Sequence, residues 1–445
     1  MRKFAFLLVC FLSLSTAFYG QDLDDVVISG RVVDTNGQAI AGATVTARQT
    51  ATGQERTATT NTDGRYRLIE LPPGPYIIRF AASGFGAKER AELNTISGQN
   101  LQLDIDLSPA DVQAETTVTV TDEDAPVIDT TRTIVGGTIE QREIEELPNT
   151  TRDGLDLVLT LGGVTEEPLS NRDLSFDKGG RTESAPSSGL IEGGVFALSG
   201  GAAYSNNITI DGLDNNDDRV AGIRFQPSVE NIAEVQVVTN QFSAEYGRAS
   251  GGRVNIRTRA GSRRFAGRLF YFFSDESLNA NTWSNNRRGV ARFPFQQHIP
   301  GFTFGGPVPV GYFKNKTSFF TSYEYDYIFD STRTDTYMPI ATNPAFPLPT
   351  PNSGEIITDF GSQLGRFIDG SDTPRKQHRF TARGDHNFNA NHSITVSYQY
   401  GKTNDLRQFN GGNRLAESLI GRRTETQAIN GTYNWVVSSK AVNQF

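Results

Sequence analysis

The chain has 445 residues, a net charge of −8 and 37% hydrophobic residues, a length sufficient for two to four domains. Beyond the extreme N-terminus no apolar run approaches the roughly 20 residues a membrane helix requires, so any membrane-embedded part is left to a β-barrel. Residues 21–130 carry 17 Asp/Glu against 8 Lys/Arg, which excludes a nucleic-acid footprint there and suits a solvated domain.

Arg2 and Lys3, apolar Phe4–Leu14 and small Ser15-Thr16-Ala17 predict a signal peptide over residues 1–20, cleaved after Ala17 or Gly20. Cys10 is the single cysteine and follows Val9, not the small residue a lipoprotein signal wants. The mature chain is therefore expected to lack disulfides and thiol chemistry.

Residues 26–108 read as a small β-sandwich. Strands are predicted at Val26–Asp34, Ala43–Ala47, Arg56–Thr60, Tyr66–Leu68, Tyr76–Ala81 and Leu101–Leu107. Turn signals at Asn36-Gly37, Asp63-Gly64 and Pro72-Pro73-Gly74 recur at the spacing of a sandwich. Gly64 and Gly74 are expected at positive φ. The strings Ile28-Ser29-Gly30-Arg31, Ala41–Val45, Thr62–Tyr66, Leu71–Tyr76 and Gly84-Phe85 resemble the carboxypeptidase-regulatory-like domain. That resemblance implies a transthyretin-like, carbohydrate-binding-like fold. Its motifs are turn and core positions, so they specify fold and not function.

Residues 109–130 read as an acidic linker enclosing Glu115-Thr116-Thr117-Val118-Thr119-Val120. This β-prone stretch has the form of a strand that adds to a partner's sheet edge. An ordinary linker or sandwich edge fits the pattern equally.

Residues 131–260 read as an α+β domain. Thr138 with Gln141 suggests a capping box for a helix Ile139–Glu146, and Leu155–Leu161 suggests a second helix stopped by Gly162-Gly163. Strands are predicted at Asn207–Ile210, Val235–Val238 and Arg253–Thr258, with a helical turn at Val229–Glu234. Asp211, Asp214, Asp217 and Asp218 lack the ligand spacing of an EF-hand and are expected in a solvated loop.

The strings Asn207–Asn216, Val229–Gly252 and Val254–Thr258 resemble the plug of TonB-dependent outer-membrane transporters, and the order sandwich, plug, barrel is similar to the Oar-like branch. The resemblance implies that Glu115, Thr116, Thr117, Val118, Thr119 and Val120 form a TonB box, gripped by a TonB-type energy-transducing periplasmic protein. It also implies a 22-stranded barrel.

Residues 261–445 read as the start of a transmembrane antiparallel barrel. In Ser318–Tyr327 and Ser393–Tyr400, aromatic and aliphatic residues alternate with polar ones, giving one apolar and one wet face. Six strands are predicted: Arg263–Phe273, Gly301–Gly305, Lys316–Tyr327, Gln377–Phe388, Ser393–Tyr400 and Thr426–Ser438. Their connections alternate long and short, as in outer-membrane barrels; Ile328–Lys376 is the longest loop. Six strands cannot surround a 120-residue plug, and Ser438–Phe445 lacks alternation, so most of the barrel is expected to be missing.

The four histidines, His298, His378, His386 and His392, form no metalloprotease, Walker A or hydrolase motif. His378 and His386 share parity with Phe380 and Phe388 and are expected in the barrel wall. The mainly β chain is thus read as a non-enzymatic importer with no cofactor. Its expected surroundings are outer-membrane lipid of the Gram-negative type, an extracellular solute ligand and periplasmic N-terminal domains, with no nucleic acid. A glycan-binding adhesin is the alternative; a zinc peptidase lacks ligands.

Overall fold

The computed structural model describes residues 25–110, 118–120, 135–147, 152, 154–166, 196–202, 205–216, 223–239, 247, 249–281, 283–289, 291–292, 294–314, 316–340, 356–359, 362–407, 420–438 and 441–445. The predicted signal peptide lies outside these residues. Two compact units result: Met1–Val135 with Asn240–Ala249 and Val436–Val442, and Gly136–Thr239 with Ser250–Trp435 and Asn443–Phe445.

The first unit holds β1 Val26–Asp34, β2 Thr44–Gln49, β3 Glu55–Thr59, β4 Arg65–Leu71, β5 Gly74–Ala81, β6 Lys88–Thr95, β7 Asn100–Gln102, β8 Ile105–Leu107 and β9 Val118–Val120. One sheet centres on β1, flanked by antiparallel β4 and by parallel β7 and β8. The other runs β3-β2-β5-β6-β9. Period-2 patterning builds the core. In β5, Tyr76, Ile78 and Phe80 are buried and Arg79 is exposed, because successive side chains leave a strand on opposite faces. They pack with Val26, Ile28, Val45, Leu68, Leu101 and Leu107. Tyr66 meets Phe80 edge to face at 5.7 Å, and its hydroxyl donates to the Leu103 carbonyl at 2.7 Å. Gly64 and Gly74 have φ of 72° and 140°, as the turn chemistry requires. Leu101–Leu107, predicted as one strand, is two; Leu103 N donates to Ser29 O between them.

The second unit begins with a five-stranded sheet. Its strands are β10 Val135–Glu140, β13 Asn207–Ile210, β14 Leu213–Asp214, β15 Ile232–Thr239 and β16 Gly252–Thr258, in the order β10-β15-β16-β13-β14. β11 Val164–Glu166 pairs with β12 Phe196–Leu198 beside it. Ile144, Leu155, Val158, Ile208, Ile210, Val235, Val237, Val254 and Ile256 form the core.

Two helix predictions here are corrected. Residues 139 and 140 end β10, and helix α1 covers only Gln141–Glu146. The Glu143 side chain, not Gln141, reaches back to the Glu140 backbone N–H at 2.9 Å. Thr138 is a strand residue, so it cannot cap. The predicted Leu155–Leu161 helix is a 3₁₀ segment, Gly154–Thr160. The turn at Val229 spans Val229–Asn231 and leads directly into β15.

The remaining strands form an antiparallel wall: β17 Ala266–Asp275, β18 Phe295–Pro307, β19 Thr317–Pro339, β20 Ile356–Asp359, β21 Ser362–Asp372, β22 Arg375–Asn389, β23 His392–Arg407, β24 Ile420–Ser438 and β25 Ala441–Gln444. A short helix, α2 Trp283–Arg288, lies between β17 and β18. The order is β17-β18-β19-β22-β23-β24-β25, with β21 pairing antiparallel with the C-terminal part of β19 and β20 pairing with β21. All six predicted strands are present and most are longer. The predicted loop Ile328–Lys376 is corrected: its two ends are strand, because Ser331–Pro339 pairs with Leu364–Asp372. Ser438–Phe445, which lacks alternation in the sequence, nevertheless contains β25, and Tyr433 and Phe445 exchange backbone hydrogen bonds. In β19 the even residues Phe320, Ser322, Glu324, Asp326 and Ile328 are buried, while Leu269, Phe273 and Ile429 elsewhere in the wall are exposed. The exposed face is thus apolar, while the buried face carries the charged residues together with Phe320 and Ile328, the outward apolar surface a lipid-facing wall needs.

Candidate functional site

The predicted coupling segment divides. Glu115, Thr116 and Thr117 lie outside the described residues; Val118, Thr119 and Val120 form β9. β9 pairs in parallel with β6, with Lys88 opposite Val118, Glu89 opposite Thr119 and Arg90 opposite Val120. Val118–Val120 is therefore an edge strand of that sheet, with the extended backbone that strand addition to a partner also requires. β6 was not predicted. Lys88, Glu89, Arg90, Glu92 and Asn94 mask its period, yet Leu93 and Arg90 are buried. Lys88 Nζ bonds Asp106 Oδ1 at 3.0 Å, tying β6 to β8. That hydrogen bond holds the Asp106 carboxyl below its usual range.

A second constellation lies within the other unit, where the α+β segment meets the buried face of the wall. Arg152 Nη2 donates to Glu230 Oε1 at 3.0 Å, and Arg268 Nη1 of β17 donates to Glu230 Oε2 at 2.9 Å. The Arg152 guanidinium stacks 3.6 Å from the Phe272 ring centre. Ser228 Oγ donates to Glu324 Oε2 at 2.7 Å, and Asn231 Nδ2 to Thr381 Oγ1 at 3.0 Å. Glu324 also accepts from Arg379, and Arg375 binds Asp326 at 2.9 Å. Glu230 and Glu324 are only 4% and 2% exposed. Charges so buried require partners, and the two faces supply them to each other.

Asp211 belongs to the same seam. Its carboxylate accepts from Thr258 N at 2.9 Å and Thr258 Oγ1 at 2.6 Å, and pairs with Arg383 of β22 at 3.4 Å. Asn430 Nδ2 donates to its carbonyl at 2.9 Å. The expected solvated loop is corrected at this residue: its oxygens are taken up between segment and wall. Asp214 contacts Asn216; Asp217 and Asp218 lie outside the described residues. Among the described residues no three His, Cys, Asp or Glu side chains are placed to hold a metal.

Each histidine sits on a wall strand beside a hydroxyl of the adjacent strand: Tyr271 with His298, Tyr323 with His378, Tyr433 with His392 and Thr317 with His386, all at 2.6–2.8 Å. All four are wall residues, as parity indicated for His378 and His386. The sequence marked Glu324 and Asp326 as a wet face, but nothing in it joined them to residues 228–231.

Residues 27–108 match the carboxypeptidase regulatory-like domain. Residues 257–345 and 330–445 match an outer membrane beta barrel domain. The TonB-dependent transporter Oar of Myxococcus xanthus is 27% identical over 318 residues, 69% of this chain and 28% of its own length. The outer membrane transporter YddB of Escherichia coli aligns at TM-score 0.47 and 11% identity, over 68% of this chain and 37% of that one. A mutant of the ferric enterobactin receptor PfeA of Pseudomonas aeruginosa aligns at 0.42 and 14% identity, over 67% and 38%. The chain thus spans well under half the length of the relatives it matches.

Proposed function

We propose, from the premise that this outer-membrane chain joins a carboxypeptidase regulatory-like domain to an outer membrane beta barrel domain and is related to Oar, that it serves TonB-dependent active import of a large or scarce solute. The solute class is a siderophore, oligosaccharide or peptide, bound from outside. Residues 131–260 act as the plug, the sandwich and linker lie in the periplasm, and Glu115–Val120 is the segment the energy-transducing protein pulls.

The observation that carries the reading is the seam between plug and wall. It consists of ion pairs and hydrogen bonds, Arg152–Glu230–Arg268, Ser228–Glu324, Asn231–Thr381 and Asp211–Arg383. A polar seam can be traded for water group by group as a plug shifts, whereas an apolar one exposes its whole area at once.

The test is Val118→Pro in the full-length protein. Proline removes one backbone donor and fixes φ, which weakens strand addition to a partner. Uptake is expected to fall to background with outer-membrane abundance and surface ligand binding unchanged. Normal uptake would remove this segment as the coupling site and favour a glycan-binding adhesin.

A further inference from the structure

We propose that the carboxypeptidase regulatory-like domain acts as a presenter: its β6 edge holds the coupling segment extended, with the outer edge of that segment offered to the periplasmic partner. This rests on the coupling role proposed above and adds a role for the domain.

The argument starts from sheet order. β9 is the terminal strand of β3-β2-β5-β6-β9, and no described strand lies beyond it. In an extended chain, alternate residues direct their N–H and C=O groups to opposite edges. Pairing with β6 therefore takes one edge of Val118–Val120 and leaves the groups of the other edge for a further strand. A partner that adds a strand there extends the sheet without displacing anything.

The holding contact is suited to this use. It is parallel and three residues long, so it fixes a short reading frame. β6 itself is anchored on its far side by pairing along β5 from Gly74 to Phe80 and by Lys88–Asp106. A segment already extended gives up less conformational freedom on binding than a free linker. The chemistry of the partner follows from the flanks. Residues 111–124 contain Asp111, Glu115, Asp122, Glu123 and Asp124 and no Lys or Arg, so the complementary sheet edge is a basic one.

The experiment uses the full-length protein with Glu89→Cys and Thr119→Cys in a Cys10→Ser background. Facing positions on adjacent strands lie about 4.8 Å apart, within the Cα separation a disulfide spans. The probe is the purified periplasmic domain of the host's TonB-type protein. Mild oxidation is expected to form the disulfide, and the oxidised protein to bind the probe as tightly as the reduced one. Deleting residues 27–108 is expected to weaken probe binding about tenfold, the size of effect from freeing roughly one backbone residue, with outer-membrane abundance unchanged. Failure of the disulfide to form overturns the docking. Loss of probe binding on oxidation, or tighter binding on deletion, overturns presentation and makes β6 a competitor of the partner. No probe binding in any variant, wild type included, overturns the coupling reading and presentation with it.

Discussion

Replacing Gly30 by alanine should strongly destabilise the sandwich, although Gly30 sits in a regular strand. A Cβ there would lie 1.9 Å from the Leu103 carbonyl oxygen and 2.6 Å from its carbon, so the β1 backbone or the Leu103 segment must move by about 1 Å. Overpacking of this kind costs about 1–3 kcal/mol. The same carbonyl accepts the buried Tyr66 hydroxyl at 2.7 Å. Displacing it leaves a buried polar group poorly satisfied, for about 1–3 kcal/mol more. The sum, about 2–6 kcal/mol, is a large share of the stability of so small a domain. At about 4–8 °C per kcal/mol for this size, residues 22–109 expressed alone should lose at least about 10 °C in Tm, followed by circular dichroism. Gly86→Ala is the control: its Cβ would meet only the Ser108 carbonyl at 3.8 Å, and Tm should stay within a few degrees. A Gly30→Ala domain melting with the parent would refute the close approach of β1 to Leu103.

Two further perturbations probe the seam between the α+β segment and the wall, and the β6 anchor. Glu324→Gln keeps the shape but removes the charge shared by Ser228 and Arg379; breaking a buried pair costs about 3–5 kcal/mol, so amide exchange at residues 228–232 of the full-length protein should quicken by about two to nearly four orders of magnitude, and unchanged exchange would place the seam's strength elsewhere. The Asp106 carboxyl is held below its usual range by Lys88, so its stabilisation is present above the unfolded carboxylate pKa near 4 and is lost as pH falls through the lower folded value. The Tm of the isolated sandwich should carry a small acid-side decline that Asp106→Asn removes; an identical decline in the variant would assign it to other carboxylates.

Most of the fold was legible where burial is one-sided. β5, β19 and β22 show period-2 patterning because one face of each is packed, and Gly64 and Gly74 announced their turns. β6 was invisible because Lys88, Glu89 and Arg90 are charged whichever way they point, and pairing on both edges, not apolar content, makes it a strand. Ser331–Pro339 read as loop for a similar reason: Thr332-Arg333-Thr334-Asp335 carries no apolar face, yet its backbone pairs with β21 throughout. Val118–Val120 was legible as extended chain, but its seat on β6 was not, since register between residues as far apart in the chain as Lys88 and Val118 leaves no local mark. The seam was hidden more completely. Asp211 and Arg383 are 172 residues apart, and each alone reads as a solvated charge.

The ion pairs of the wall bear on how a path through it would conduct. Arg375–Asp326, Arg379–Glu324 and Arg383–Asp385 each join two wall residues, so these charges would keep a counterion if, as proposed, the α+β segment withdrew. In the movement proposed above, Arg268 would part from Glu230 of the α+β segment, while Arg383 would keep Asp385 after losing Asp211. A passage opened along these strands would be lined by alternating, internally neutralised charge. Such a lining has little preference for the sign of what passes, and it would let water and a bulky polar solute through without first concentrating one kind of ion.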